Sequence, residues 1–235
     1  VSGLDAFCQG IESFWSVNSN EESLSYSKRA LSYSWANLNK AVKDMLEAFS
    51  EEERMETEIL VSIITFGGGV NLHMPYTKSS QVEWNPLKAN GLTPMGTALR
   101  MAKDMIEDKD VTPSRAYRPT IVLVSDGMPT DDWEGPLESF IAEGRSSKCD
   151  RMAVAIGDSV DVVVLGRFIE NTPHDLFYAE NEDVKTLHNF FQKVTMSVTT
   201  RSQSKNPNEI LSSLGGNSDD KNKSNSKISE DNDFW

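Results

Sequence analysis

PTIVLVSDGMPTDDW, residues 119–133, decides how the rest of the chain is read. A proline opens a run of five sheet-forming residues, Thr120 to Val124, and the run stops at Ser125-Asp126-Gly127. The loop beyond carries Pro129, Asp131 and Asp132. A short apolar run bounded by chain breakers marks a strand buried on both faces of a parallel sheet. An aspartate and a glycine just after it stand at the strand's carboxyl edge, where open α/β sheets keep their ligand sites. Asp126 suits a plain turn equally well by spacing alone.

The neighbouring segments extend the pattern. Ile59–Phe66 is rich in β-branched residues and ends at Gly67-Gly68-Gly69, across which Val70–Met74 pairs back as a hairpin. Gly96–Glu107 reads as a helix whose apolar face is Leu99, Ala102, Met105 and Ile106. After Thr120–Val124 a helix begins near Trp133–Pro136, with the proline in its first turn. Met152–Ile156 is a further strand closed by Gly157. Val160–Ile169 then reads as a helix, Leu176–Ala179 as a short strand and Val184–Val198 as the last helix. Such alternation over residues 46–200 predicts an α/β fold, a mostly parallel, Rossmann-like sheet with helices on both faces and right-handed crossovers.

Together with ILVSIITFGG (59–68) and GLTPMGTALRMAKDMI (91–106), residues 119–133 resemble the von Willebrand factor A (VWA) family over 46–200, in particular its small bacterial tellurite-resistance type. The family's metal site draws DxSxS from one loop, a threonine from a second and an aspartate from a third. Thr93 matches the threonine and Asp126 the third-loop aspartate. Counting back from Asn39 to where DxSxS belongs reaches Ser25, Ser27 and Arg29, which is no metal loop. Hard divalent cations want several oxygen ligands, so Mg²⁺ or Mn²⁺ is expected to bind weakly or not at all. Asp131 and Asp132 are expected to cap the helix that follows them. The resemblance implies a non-catalytic protein-interaction module with a degenerate MIDAS-like site, in a stress or tellurite-resistance system, with a partner it does not name.

Residues 1–45 read differently. VSGLDAFCQGIESFWSVNSNEESLSYSKRAL resembles the metal-binding helical region of iron-containing alcohol dehydrogenases, roughly GxDAxxHxxE, with Asp5 at a ligand position but Gln9 where that family has histidine. Two helices are expected here, the second opened by a capping box at Ser19 and Glu22. Leu24, Leu31, Trp35, Leu38, Val42, Leu46 and Phe49 then form its apolar stripe. The organisation predicted is a helical segment (1–45), a VWA-like domain (46–200) and a disordered tail (201–235). On this reading the family's central first strand is missing, which leaves a gap or an exposed edge in the sheet. The alternative function is a fragment of an iron-dependent alcohol dehydrogenase that needs another chain for activity.

Composition removes other classes. A formal charge of −13 over 235 residues argues against nucleic acid, which needs clustered Lys and Arg. No run reaches the roughly 18 apolar residues of a membrane span. Cys8 and Cys149 form no CxxC motif, so neither a disulfide framework nor a zinc site is expected, and a reducing cytoplasm is the default. Val1 is preceded by no basic n-region and no initiator methionine, which reads as a processed or truncated product without a signal peptide. His73, His174 and His188 are scattered and fit no catalytic or metal motif, and catalysis is not expected. The tail is mainly Ser, Asn, Asp and Lys and ends in Glu230-Asp231-Asn232-Asp233-Phe234-Trp235. Phe234 and Trp235 are either an inert end or the anchors of a docking peptide for a basic-rimmed pocket.

Overall fold

The computed structural model describes residues 2–10, 21–53, 58–88, 91–125, 128–157, 160–179 and 184–204. Its frame is a six-stranded sheet built from β1 (Ser2–Gly10), β2 (Glu58–Phe66), β3 (Val70–Lys78), β4 (Thr120–Ser125), β5 (Asp150–Ile156) and β6 (Phe177–Ala179). The order is β3-β2-β1-β4-β5-β6, and only β3 runs antiparallel, as the hairpin partner of β2. Among the described residues, five α-helices accompany it: α1 (Glu21–Glu53), α2 (Met95–Glu107), α3 (Glu134–Ala142), α4 (Val162–Phe168) and α5 (Val184–Ser202).

All six residues of β4 are buried, as a strand covered on both faces requires. Its alternate side chains go to opposite layers. Val122 and Val124 join Met152, Val154 and Ile156 of β5 beneath α1 and α5, against Leu38, Val42, Phe49, Phe190 and Val194. Ile121 and Leu123 face the other way with Ala153 and Ala155, against Leu99, Ala102, Leu137, Phe140 and Phe168 of α2, α3 and α4. Each large side chain so covered contributes about 1.5–3 kcal/mol. The expected layering of 46–200 is thus present. Among the described residues no helix is long and apolar enough to cross a membrane.

The amino-terminal expectation needs correction. Ser2–Gly10 is a strand, not a helix, and it lies at the centre of the sheet, with Phe7 opposite Ile63 of β2 and Val122 of β4. No gap is left between β2 and β4, so the segment resembling a dehydrogenase helix completes the sheet instead. Parallel pairing with β2 along its length and with β4 over Asp5–Gln9 offsets the weak strand preference of SGLDAFCQG. The long helix is present as α1, so Ser25, Ser27 and Arg29 are helical residues and the metal loop cannot stand there. The link from β1 to α1 is 11–20; it and Ser19 of the expected capping box lie outside the described residues.

The tail boundary also moves. Arg201 and Ser202 belong to α5 and are buried, so the structured part does not end at 200. Arg201 donates through Nη1 to Thr120 Oγ1 (2.7 Å) and through Nη2 to the Arg118 carbonyl (2.6 Å). Its guanidinium stands 3.9 Å from the fully buried carboxylate of Asp150, which His174 contacts from the other side at 2.7 Å. This network ties α5 to the amino-terminal edge of the sheet. Residues 205–235, with Phe234 and Trp235, lie outside the described residues.

Cys149, beside that network, is a buried free thiol. Burial pushes its ionisation from the ordinary 9.0 up to about 12, against the pull of Arg151 and Arg201. Below pH 9 both folded and unfolded chains keep the proton and stability is unaffected. As pH rises from there towards 12, the unfolded chain sheds a proton the folded chain retains, and stability falls by about 1.4 kcal/mol per pH unit. Urea midpoints of the wild type and Cys149→Ala between pH 8 and 10.5 check this: the wild type should lose more stability on the alkaline side, and parallel profiles would contradict it.

Candidate functional site at the carboxyl edge

The parallel strands β1, β2, β4 and β5 all end on one edge, and the loop that carries Thr93 packs there against the glycines after β2. β4 ends at Ser125; Asp126 and Gly127, and with them the expectation for Asp126, lie outside the described residues. Thr93 lies in the loop before α2 and is 1% exposed. Among the described residues its hydroxyl has no hydrogen-bond partner. A buried hydroxyl without a partner is costly, so its retention calls for a reason.

Two motifs interlock to hold that hydroxyl in place. The Thr93 amide donates to Thr130 Oγ1 (3.0 Å), and the Thr130 amide donates back to the Thr93 carbonyl (2.9 Å). One turn further on, Asp131 Oδ1 accepts from the Gly96 amide (2.9 Å), while Oδ2 accepts from the Thr97 amide (2.8 Å) and hydroxyl (2.7 Å). Asp131 therefore caps α2, not the helix after it; Trp133, at the start of α3, makes no side-chain cap bond. The cause is Pro94, which occupies the α2 N-cap and has no side-chain acceptor. The first amides of α2 then take an acceptor from another loop, and a carboxylate there also suits the positive end of the helix.

Asp132, likewise expected to cap α3, turns to α2 as well. Arg100 Nη2 donates to its carbonyl (3.1 Å) and stands 3.6 Å from its exposed carboxylate. The contact is close enough that a Cβ on Gly96 would come within 2.1 Å of the Asp132 carbonyl oxygen. On the far side, Gly91 has φ +76°, and a Cβ there would meet Gly68 at 2.9 Å. The glycine triplet 67–69 is thus a close-packing surface for the Thr93 loop.

The rim of the site is apolar. Leu92 is 64% exposed beside Thr93, and Met128 is 59% exposed in the loop after β4. Val162 and Val163, at the start of α4, and Tyr178 of β6 are exposed too. Single exposed apolar residues need no explanation, whereas a group of them on one edge is a feature of contact surfaces in general.

Two of the three histidines have partners of their own. His73 Nε2 lies 2.9 Å from the Asn85 carbonyl, and His174 belongs to the Asp150 network. Among the described residues no group of three or more His, Cys, Asp or Glu is placed to hold a metal ion. Sequence reading missed Asp131's role across the loops; the signal available was a proline at the helix start with no acceptor of its own.

A mostly parallel sheet with helices on both faces defines an α/β domain. Its fold is that of the von Willebrand factor type A domain. A family model for that domain matches residues 23–128, which include Thr93 and Gly96 but stop short of Thr130 and Asp131. Among solved structures, proximal thread matrix protein 1 from the mussel byssus is 14% identical, with a TM-score of 0.59 over 82% of this chain and 47% of that one. A von Willebrand factor type A protein from Catenulispora acidiphila is 16% identical, with a TM-score of 0.59 over 84% of this chain and 43% of that one. A second structure of the mussel protein, whose MIDAS motif is occupied by zinc, is 13% identical, with a TM-score of 0.52 over 82% of this chain and 46% of that one. The chain spans less than half the length of these structures. A comparison with curated proteins gives no match.

Proposed function

We propose that this chain is a non-catalytic interaction module that presents its carboxyl edge to a protein partner, with Thr93 and Asp126 at the centre and Leu92 and Met128 on the rim. The observation that carries the reading is the buried Thr93 hydroxyl, held by the interlocked loops without a hydrogen-bond partner among the described residues. It is placed to serve something that approaches from outside. A non-catalytic role is supported by the locations of Cys149 and His174, both of which belong to the opposite edge.

A divalent cation fits this site only in part. Thr93 offers a hydroxyl and the family resemblance adds Asp126, but Asp131 is engaged by three donors of α2 and Asp132 by Arg100. One carboxylate and one hydroxyl hold Mg²⁺ or Mn²⁺ poorly. Were a cation held there, it would supply a positive charge open to a partner's carboxylate. Calorimetric titration with Mg²⁺ and Mn²⁺ is expected to show binding no tighter than about millimolar, a free energy near −4 kcal/mol. A low-micromolar dissociation constant that disappears in Asp126→Ala would overturn the vestigial reading.

The docking role is tested by cross-linking in cells with the wild type and with Leu92→Asp/Met128→Asp. A protein cross-linked through the carboxyl edge and lost in the variant supports the reading; the same cross-links from both chains would remove it. The tellurite-resistance subtype rests on the resemblance of the three motifs. Expression in a tellurite-sensitive bacterium should raise tolerance, and unchanged tolerance removes that assignment. A reducing cytosolic setting accords with the free thiol of Cys149.

A further inference from the structure

A cleft of about 400 Å³ lies between α1 and the chain that leaves β3. On one side α1 presents Lys43, Leu46, Glu47 and Glu51, spaced to share one helix face. The other side is Ser79, in the 3₁₀ turn Ser79–Gln81, and Trp84 beyond it. Leu46 and Ser79 are each 4% exposed and form the floor. Trp84 is half-buried, packed against the core layer that contains α1. The Ser79 hydroxyl has no hydrogen-bond partner among the described residues. A buried hydroxyl kept in that state at the floor of a cleft points to a polar group that arrives from outside.

The charges around that floor set the sign of the group. Lys43 stands 3.5 Å from Glu47, and Gln203 donates to Glu52, the neighbour of Glu51. Among the described residues Glu51 pairs with no cation, and no cation stands over the Trp84 ring, although Trp133 and Phe177 each carry one. Glu47 and Glu51 are one turn apart, a spacing at which like charges repel. The last turn of α1 has no base to balance the negative end of the helix. One unpaired carboxylate, one hydroxyl acceptor and one indole face suit a single ammonium group, whose three protons point in different directions. A guanidinium, with its flat fork, suits paired acceptors in one plane instead. A bare metal ion lacks its ligand set among the described residues.

We propose that this cleft receives a lysine side chain from an exposed segment of a partner protein. The ammonium lies against Glu51, the Ser79 hydroxyl and the Trp84 ring, and the methylene stem lies over Leu46. Charge complementarity selects the occupant, in a protein whose net charge is −13. A lysine stem covers apolar surface while its charged head stays with the acid at the rim. The cleft opens beside the end of β3, where Lys78 pairs in register with Leu60 near the start of β2. It is thus remote from the Thr93 loop at the carboxyl edge and independent of the interaction proposed there.

NMR titration of the full chain tests it, with a capped Gly-Lys-Gly peptide as probe and its norleucine and arginine counterparts and butylamine as controls. The lysine peptide should shift the Trp84 indole and Ser79 amide signals with a dissociation constant on the order of millimolar. Each control should bind more weakly. Glu51→Gln should weaken the lysine peptide about threefold to fivefold, the worth of an exposed ion pair. Ser79→Ala should weaken it too, yet leave the melting temperature unchanged or raised, because a hydroxyl without a partner adds nothing to the fold. Equal binding of the norleucine peptide removes the ammonium from the account, and equal binding of the arginine peptide removes lysine. Equal binding of butylamine assigns the cleft to a free amine instead of a protein segment. Unmoved Trp84 and Ser79 signals, full affinity in Glu51→Gln, or a lower melting temperature in Ser79→Ala each overturn the proposal as well.

Discussion

Replacing Arg201 with methionine is expected to destabilise the protein by about 3–5 kcal/mol, the usual cost of removing one partner from a buried ion pair. The arginine and the Asp150 carboxylate opposite it are almost completely buried, at 4% and 0% exposure. Without Arg201 the carboxylate keeps His174, Thr120 Oγ1 and Ser197 Oγ around it but loses its permanent cation. Thr120 Oγ1 and the Arg118 carbonyl lose a donor in the same step. Methionine preserves much of the side-chain volume, so the loss reports on charge and hydrogen bonds rather than on a cavity. Urea denaturation measures it, and a change below about 1 kcal/mol would show the network to be peripheral. Truncation gives a companion result: removing residues from 205 onward should spare stability, whereas removing residues from 201 onward should not.

The second large effect is expected at the interlocked edge. Gly96→Ala places a methyl group 2.1 Å from the Asp132 carbonyl oxygen, where backbone rather than a flexible side chain must give way. Overpacking of this kind costs about 1–3 kcal/mol. Asp131→Ala acts on the same joint by a different route, since it leaves the Gly96 and Thr97 amides at the α2 terminus without their acceptor. Loss of a helix cap costs about 0.5–2 kcal/mol, and the charge-assisted bonds place this one in the upper part of that range. Asp131→Asn should fall between, because its single amide oxygen replaces one of two carboxylate acceptors. Because both changes separate the same two loops, their combination should cost less than the sum. Thermal melts resolve this, at about 2–4 °C per kcal/mol for a domain of this size. Full additivity would mean that the two loops do not act as one unit.

The legible parts of the sequence were those whose burial is local and complete. Thr120–Val124 and Met152–Ile156 are covered on both faces, so nearly every residue is apolar and the strands announce themselves. The α2 stripe showed for the same reason, and Leu99, Ala102 and Ile106 are core residues. SGLDAFCQG has no β-branched residue and carries Asp, Gln and two glycines, so its place at the sheet centre is set by its neighbours on both sides rather than by its own preference. It also lies before the first residue of the family match, at 23. Arg201 was masked by the polar composition around it. At the candidate site, Thr93 and Asp126 were singled out because they belong to short motifs, while Asp131's bond to another loop has no local signature. A loop that caps a distant helix is visible only once the two are brought together.

Everything at the carboxyl edge depends on Ser2–Gly10 being the strand between β2 and β4, since that pairing brings the ends of the two strands and their loops onto one continuous edge. Native-state hydrogen exchange of the Gly3–Gln9 amides tests this directly. The amides that bond across to β2 and β4 should be protected to the same degree as those of Val122–Val124, and they should open only with the whole domain. Exchange of Gly3–Gln9 at the rate of an unstructured chain, while β2 and β4 stay protected, would contradict the account.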